Sequence, residues 1–142
     1  MTVIVDTGVI YAHHDEHATR HDRAVNAFES LLRGEYGRPY VTDHIFEETV
    51  TLTRSRTESF RAANAVAERM LGEGTYPAKL DLLNVGHRAV HESLETFRRY
   101  ADHDLSFTDA TTVTLCERRG IDAVLSFDSD FDGLVERIAP GG

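Results

Sequence analysis

Four acidic side chains carry the most chemistry in this sequence: Asp6, Glu48, Asp109 and Asp128. Asp6 ends the apolar run Thr2-Val3-Ile4-Val5, and Asp128 follows the run Ile121-Asp122-Ala123-Val124-Leu125-Ser126. Two carboxylates 4 Å apart repel by about 4 kcal/mol at an effective dielectric of ~20. A hard divalent cation removes that cost, and Mg²⁺ binds through one or two carboxylates together with waters and substrate phosphates. Such an ion acts as a Lewis acid at a phosphodiester and acidifies water, so no serine, cysteine or histidine nucleophile is needed. Each acid also has a plainer reading. Asp6 suits a turn or N-cap, Asp109 suits the first turn of a helix, and Glu48 has Glu47 beside it on a solvated helix. Asp128 lies in Phe127-Asp128-Ser129-Asp130-Phe131-Asp132, where any acid can serve a turn. Their joint placement at strand ends is what points to a site.

The elements that position these acids follow from periodicity. Residues 2–5 read as a buried strand that turns into a helix. Residues 17–34 show Ala24, Ala27, Phe28, Leu31 and Leu32 at helical spacing, with Gly34 as a stop. Residues 39–42 read as a strand, 43–54 as a helix capped by Thr42 or Asp43, and 57–72 as a further helix. Lys79-Leu80-Asp81-Leu82-Leu83 alternates like a strand, and residues 86–101 are helical through Val90, Leu94 and Phe97. Asp109 opens a helix capped by Thr108 that runs to Arg119 and stops at Gly120. Residues 121–126 form a strand, and 134–138 add an edge strand. The alternation predicts a three-layer α/β/α fold with a central, mostly parallel sheet of four to five strands. The 142 residues suit a single domain over 1–142. In such a sheet, ligands bind outside the carboxyl ends of the strands.

The net charge is −9, from 15 basic and 24 acidic residues. That surface repels nucleic acid unless arginines cluster or cations intervene. Lys79 is the sole lysine; a salt-adapted cytoplasm and a GC-rich genome would each favour that bias. Cys116 stands alone in an apolar helical run and reads as a small core side chain, so no internal disulfide is expected. No stretch approaches the ~18 apolar residues of a membrane span, and Met1-Thr2-Val3-Ile4 has no basic leader. A cytoplasmic protein without a membrane partner is expected.

Taken in order, the chain shows Val5-Asp6-Thr7, then Thr42-Asp43-His44-Ile45-Phe46-Glu47-Glu48-Thr49. Leu105-Ser106-Phe107-Thr108-Asp109-Ala110 and Leu125-Ser126-Phe127-Asp128-Ser129-Asp130-Phe131 follow. The series resembles the PIN domain family, and within it the VapC-type toxin ribonucleases and their archaeal relatives, across nearly the whole chain. Its most specific part is the last two segments together with Asp6. The resemblance implies metal-dependent hydrolysis of RNA phosphodiester bonds, with Mg²⁺ or Mn²⁺ held by Asp6, Glu48, Asp109 and Asp128. Glu48 is taken over Glu47 because Glu48-Thr49-Val50-Thr51-Leu52 resembles the family's run after its acid; Glu47 points about 100° away on the helix. Thr7 and Ser126 are expected to hydrogen-bond the acids or a bound water, and Asp130 to order the final loop. The resemblance also implies an RNA substrate, a homodimer and an antitoxin partner that holds the toxin inactive. An RNA-processing PIN nuclease without an antitoxin and a catalytically weak PIN-like binding module are the alternatives. Asp43 departs from the pattern, which more often has a serine or small polar residue there. Arg54, Arg56 and Arg61 are candidates for phosphate contacts.

Other readings fail on the residues. A haloacid-dehalogenase-like phosphatase needs a second aspartate where Gly8 stands, and a receiver domain needs a lysine near the last strand. No Gly-rich nucleotide loop occurs. His13, His17 and His21 would share one face of a continuous helix, but Asp15-Glu16 reads as a break between two helices, so no zinc site is expected.

Overall fold

The computed structural model describes residues 1–76 and 80–141. In chain order, β1 (Thr2–Val5), α1 (Thr7–His14), α2 (His21–Leu32) and β2 (Arg38–Thr42) come first. They are followed by α3 (Asp43–Thr57), α4 (Phe60–Leu71), β3 (Asp81–Leu83), α5 (Gly86–Arg99) and α6 (Phe107–Arg119). The chain ends with β4 (Ala123–Leu125), a 3-10 turn (Ser129–Phe131) and β5 (Arg137–Ile138). Lys79, the first residue of the predicted strand 79–83, lies outside the described residues.

Val3, Ile4 and Val5 are fully buried because β1 lies at the centre of the sheet and is covered on both faces. The strand order is β3-β2-β1-β4-β5, and every neighbouring pair is parallel. The chain steps outward from β1 to β2 to β3, then crosses back to β4 on the other side of β1. Right-handed connections therefore place α1 to α4 on one face and α5 and α6 on the other. The direction reverses between β1 and β4, whose register pairs Val5 with Leu125. That reversal opens a crevice at the carboxyl ends of these two strands.

Local chemistry shifts several predicted boundaries. A distinct α1 precedes α2, and the segment between them is a turn in which the Asp15 carboxylate accepts from the His17 N–H at 3.0 Å. The predicted helix 17–34 is thus shortened to His21–Leu32, while the break at Asp15-Glu16 falls where expected. The helix predicted over 43–54 continues to Thr57, and within it the buried Thr53 and half-buried Thr57 hydroxyls are satisfied by the carbonyls of Thr49 and Thr53. It stops at Glu58, whose φ of 53° is left-handed, and Ser59 then caps α4 through the Ala62 N–H. Cys116 is buried among apolar side chains, and that burial pushes its thiol up to about 12. No helix among the described residues is long and apolar enough to cross a membrane.

A carboxylate cleft as candidate active site

The crevice at the end of β1 and β4 is a cleft of about 450 Å³ whose lining includes Asp6, Glu48, Asp109 and Asp128. The four predicted acids therefore face one space. Asp6 is the N-cap of α1 and leaves the sheet directly after Val5. Its Oδ1 accepts from the Thr7 N–H at 2.9 Å, and its Oδ2 accepts from the Ser126 hydroxyl at 2.7 Å. Ser126 Oγ in turn accepts from the Asp128 N–H at 2.9 Å, and Asp128 Oδ1 accepts from the Asp130 N–H at 2.9 Å. This relay ties the turn after β4 to the end of β1. Asp130 takes part through its backbone, and its carboxylate is not in the lining of the cleft.

Glu48 reaches the cleft from α3, whereas Glu47 is exposed and meets only a neighbouring dent that it shares with His44, Glu48 and Thr108. Thr49, the next residue along, is fully buried, and its hydroxyl lies 3.3 Å from that of Thr7, so α3 is pinned against α1 next to Asp6. Asp43, the residue that departs from the family pattern, points elsewhere. Its Oδ1 accepts from the Val85 N–H at 3.0 Å and its Oδ2 from Asn84 at 3.3 Å, which fixes the turn after β3.

Asp109 is set by a capping box. Ser106 Oγ accepts from the Asp109 N–H at 3.1 Å, and Asp109 Oδ2 accepts from the Ser106 N–H at 3.0 Å. The N-cap of α6 is thus Ser106 and not Thr108, which lies inside the first turn. Ser106→Ala is expected to lower stability by about 1 kcal/mol and to weaken any metal-dependent activity by loosening Asp109. Thermal melts with and without Mn²⁺ check this, and a metal-induced shift identical to the parent's would remove Ser106 as a positioning residue.

The acids perturb one another. Burial pushes the Asp6 carboxyl up to about 6; the Ser126 and Thr7 bonds oppose that shift, and the charges of Glu48 and Asp128 add to it. Burial likewise pushes Asp109 up to about 7, with Asp6 and Asp128 contributing. Two buried carboxyls that hold protons far above their ordinary range, beside two further acids, form a donor set that fits a hard divalent cation. Among the described residues, no group of three His, Cys, Asp or Glu is arranged to hold an ion unaided. Mg²⁺ asks for fewer than three such ligands, since one or two carboxylates suffice and waters and substrate phosphates fill the rest of its shell.

Arg20, Asp104 and Ser106 also line the cleft, and sequence reasoning assigned none of them. Ser106 had a readable signal, the Ser-x-x-Asp capping pattern. Asp104 and Arg20 had none, since each lies in a turn brought to the cleft by tertiary packing. A second cavity of about 400 Å³ lies among α1, α2 and α4, with no carboxylate in its lining. His13 stacks on Phe28 there at 4.1 Å, while His14 and His21 each bond a backbone carbonyl and His17 is exposed.

A five-stranded parallel sheet that gathers carboxylates at its switch point defines the class, an α/β domain with an acid-lined cleft. The PIN domain model matches residues 3–136, and the chain belongs to the PIN domain family. A VapC ribonuclease of Archaeoglobus fulgidus is 25% identical over 132 residues, 92% of this chain and 80% of that protein. The Sarcin-Ricin loop cleaving toxin VapC20 of Mycobacterium tuberculosis superposes with a TM-score of 0.79 at 27% identity, covering 97% of this chain and 99% of that one. VapBC2 from Rickettsia felis, bound to a DNA fragment from its promoter, shares the fold with a TM-score of 0.69 at 10% identity, over 97% and 98% of the two chains.

Proposed function

We propose that this chain is a metal-dependent endoribonuclease and the toxin of a toxin–antitoxin pair. The observation that carries the reading is that Asp6, Glu48, Asp109 and Asp128 line one cleft in a PIN domain. The names of the Archaeoglobus and Mycobacterium relatives, a VapC ribonuclease and a Sarcin-Ricin loop cleaving toxin, support RNA as substrate and toxin as role. The similarity to the Rickettsia VapBC2 structure is one of fold, and an antitoxin partner is part of this proposal. The proposal includes a single PIN domain acting as a homodimer in the cytoplasm.

In this reading the four acids hold Mg²⁺ or Mn²⁺. The ion supplies Lewis-acid chemistry at the scissile phosphodiester and an acidified water. Asp6 presents its carboxylate to the cleft in one orientation because Ser126 and the Thr7 amide fix its two oxygens. Asp109 is fixed by Ser106, and without a cation it keeps a proton close to neutrality. Asp128 is held by the Asp130 amide and closes the cleft beside Phe127. Asp6, Asp109 and Asp128 are thereby placed before the ion or substrate arrives, which lowers the reorganisation needed at the reaction.

The test is cleavage of a mixed tRNA and ribosomal RNA pool by the purified chain with Mn²⁺, with EDTA, and as Asp109→Asn. Discrete fragments that require both the metal and Asp109 are expected. Intact RNA under every metal condition would instead favour a binding module, and fragments that persist in EDTA or in Asp109→Asn would remove the acids from the chemistry.

A further inference from the structure

The acid cleft does not end at the acids. An adjoining groove of about 490 Å³ shares Gly8, Arg20 and Leu52 with it, so the two form one channel. The groove runs between α1 and the turn after it on one side and the end of α3 on the other, and Arg56 lies along it. Gly8 contributes no side chain where the two spaces meet; the nearest atom to a Cβ placed there is Phe127 Cδ2 at 4.0 Å.

The charge changes sign along this channel. The cleft is lined by carboxylates, whereas Arg20 and Arg56 are the strong cations of the groove. Asp15 is the one carboxylate in the groove's lining, and it is engaged. It accepts from the Tyr11 hydroxyl at 2.6 Å and from the His17 N–H at 3.0 Å. Both guanidiniums rest on aromatic rings, Arg20 Cζ 4.8 Å from the centroid of Phe127 and Arg56 Cζ 4.9 Å from that of Tyr11. A ring face steadies the cation and leaves N–H donors for an outside ligand. Among the described residues neither arginine has a carboxylate within 4.0 Å, while Arg33, Arg38, Arg118 and Arg137 are each paired with an acid. On a chain of net charge −9, a polyanion needs such local cations to stay bound.

We propose that the groove holds the RNA strand on one side of the scissile phosphate, with Arg20 and Arg56 gripping successive backbone phosphates. The assignment rests on the ribonuclease reading and adds to it the direction in which the strand leaves the cleft. The rings under the arginines, Phe127 and Tyr11, are half-buried and buried respectively. The grip is therefore one of charge on phosphates and is independent of base identity.

The experiment compares Arg20→Gln, Arg56→Gln and the control Arg99→Gln, which removes the same charge from exposed α5 on the other face of the sheet. Steady-state cleavage is measured on a single-stranded oligoribonucleotide with one cut site, and on two versions of it shortened to end beside that site on either side. Each groove variant is expected to raise KM on the full RNA about tenfold, as for loss of a charged hydrogen bond. The slope of log KM against log salt should fall by about 0.7 per arginine. Their kcat should stay within about threefold of the parent, and the effect should vanish on the shortened RNA that lacks the groove side. Parental KM and salt slope in both variants, or an equal effect in Arg99→Gln, would overturn the groove. If the parent cuts no RNA, the ribonuclease reading fails by itself. Anisotropy of the same labelled RNA then decides the groove, weaker binding by both variants sustaining it and unchanged binding overturning it.

Discussion

Asp6→Asn is expected to lower kcat/KM for RNA by about 10²–10³-fold, the loss typical of removing one preorganised electrostatic group from a reacting centre. The same change should leave the metal-free protein at least as stable at neutral pH. Asparagine keeps the shape of the side chain and its Oδ1 can still accept from the Thr7 N–H. Its Nδ2 then faces Ser126 Oγ, which can turn to accept, since a hydroxyl offers two lone pairs and here uses one for the Asp128 N–H. What is lost is a buried charge. Burial pushes the Asp6 carboxyl up to about 6 from 3.8, so ionising it in the folded chain at pH 7 costs a few kcal/mol. Asparagine avoids that cost, and the melting temperature in EDTA should hold or rise while the shift produced by Mn²⁺ shrinks. Cleavage assays paired with melts in EDTA and in Mn²⁺ separate the two effects. Activity within tenfold of the parent would remove Asp6 from the chemistry, and a large fall in metal-free melting temperature would make it a structural residue.

The parts of the fold that were legible are those where burial leaves a local imprint. β1 and β4 are covered on both faces, so Val3-Ile4-Val5 and Ala123-Val124-Leu125 are continuous apolar runs, and the acids that follow them could be placed from sequence. The sequence gives α1 less clearly, because Val9, Ile10, Tyr11 and Ala12 are all buried and leave no polar face to set a period. The end of α3 lies beyond the expected residue 54 because Thr53-Arg54-Ser55-Arg56-Thr57 has no apolar periodicity; the threonines that face inward there satisfy their hydroxyls on backbone carbonyls. The cap of α6 was expected at Thr108, but the Ser-x-x-Asp pattern and the reciprocal bonds of Asp109 place it at Ser106. Arg20 was out of reach for a different reason. Its place at the cleft depends on Phe127, far along the chain, and on a turn fixed by the Asp15 side chain. Arg56 is one of three arginines that follow Glu48 closely in the chain. Of the other two, Arg54 lies over Phe60 at 5.8 Å, in a separate groove between α3 and α4. Long-range packing, which sequence periodicity does not encode, separates one arginine from the next.

The two buried carboxyls are expected to withdraw stability from the metal-free protein as pH rises from about 4 to about 7, and Mn²⁺ to restore it only in the upper part of that range. The sign follows from which state holds protons. Asp6 and Asp109 have carboxyls raised from 3.8 to about 6 and about 7 in the folded chain. Below 3.8 both states are protonated at these two positions, and the two groups cost the folded chain nothing. Between 3.8 and 7 the unfolded chain has released protons that the folded chain still holds, so stability falls with pH and levels off above 7. Each pKa unit corresponds to 1.36 kcal/mol, and because the two carboxyls raise one another the combined loss is several kcal/mol at most. His13, which burial lowers from 6.5 to about 4, and His14, lowered in the same way, act in the opposite sense between about pH 4 and 6.5, so the carboxyl contribution is read as the difference between the parent and Asp109→Asn. Asp15, Glu35, Asp122 and Asp132 are also lowered, but they lie near the surface, where such pairs contribute little. A divalent cation binds the ionised carboxylates of the folded chain and stabilises it by mass action. Its effect on the melting temperature should therefore be small near pH 5 and large near pH 8. Asp109→Asn should flatten the upper half of the pH dependence and reduce the Mn²⁺ shift together. Melts from about pH 4 to pH 8, in EDTA and in millimolar Mn²⁺, read both quantities. A pH dependence in EDTA that Asp109→Asn leaves unchanged, or a Mn²⁺ shift as large at pH 5 as at pH 8, would mean that these carboxyls do not share a cation.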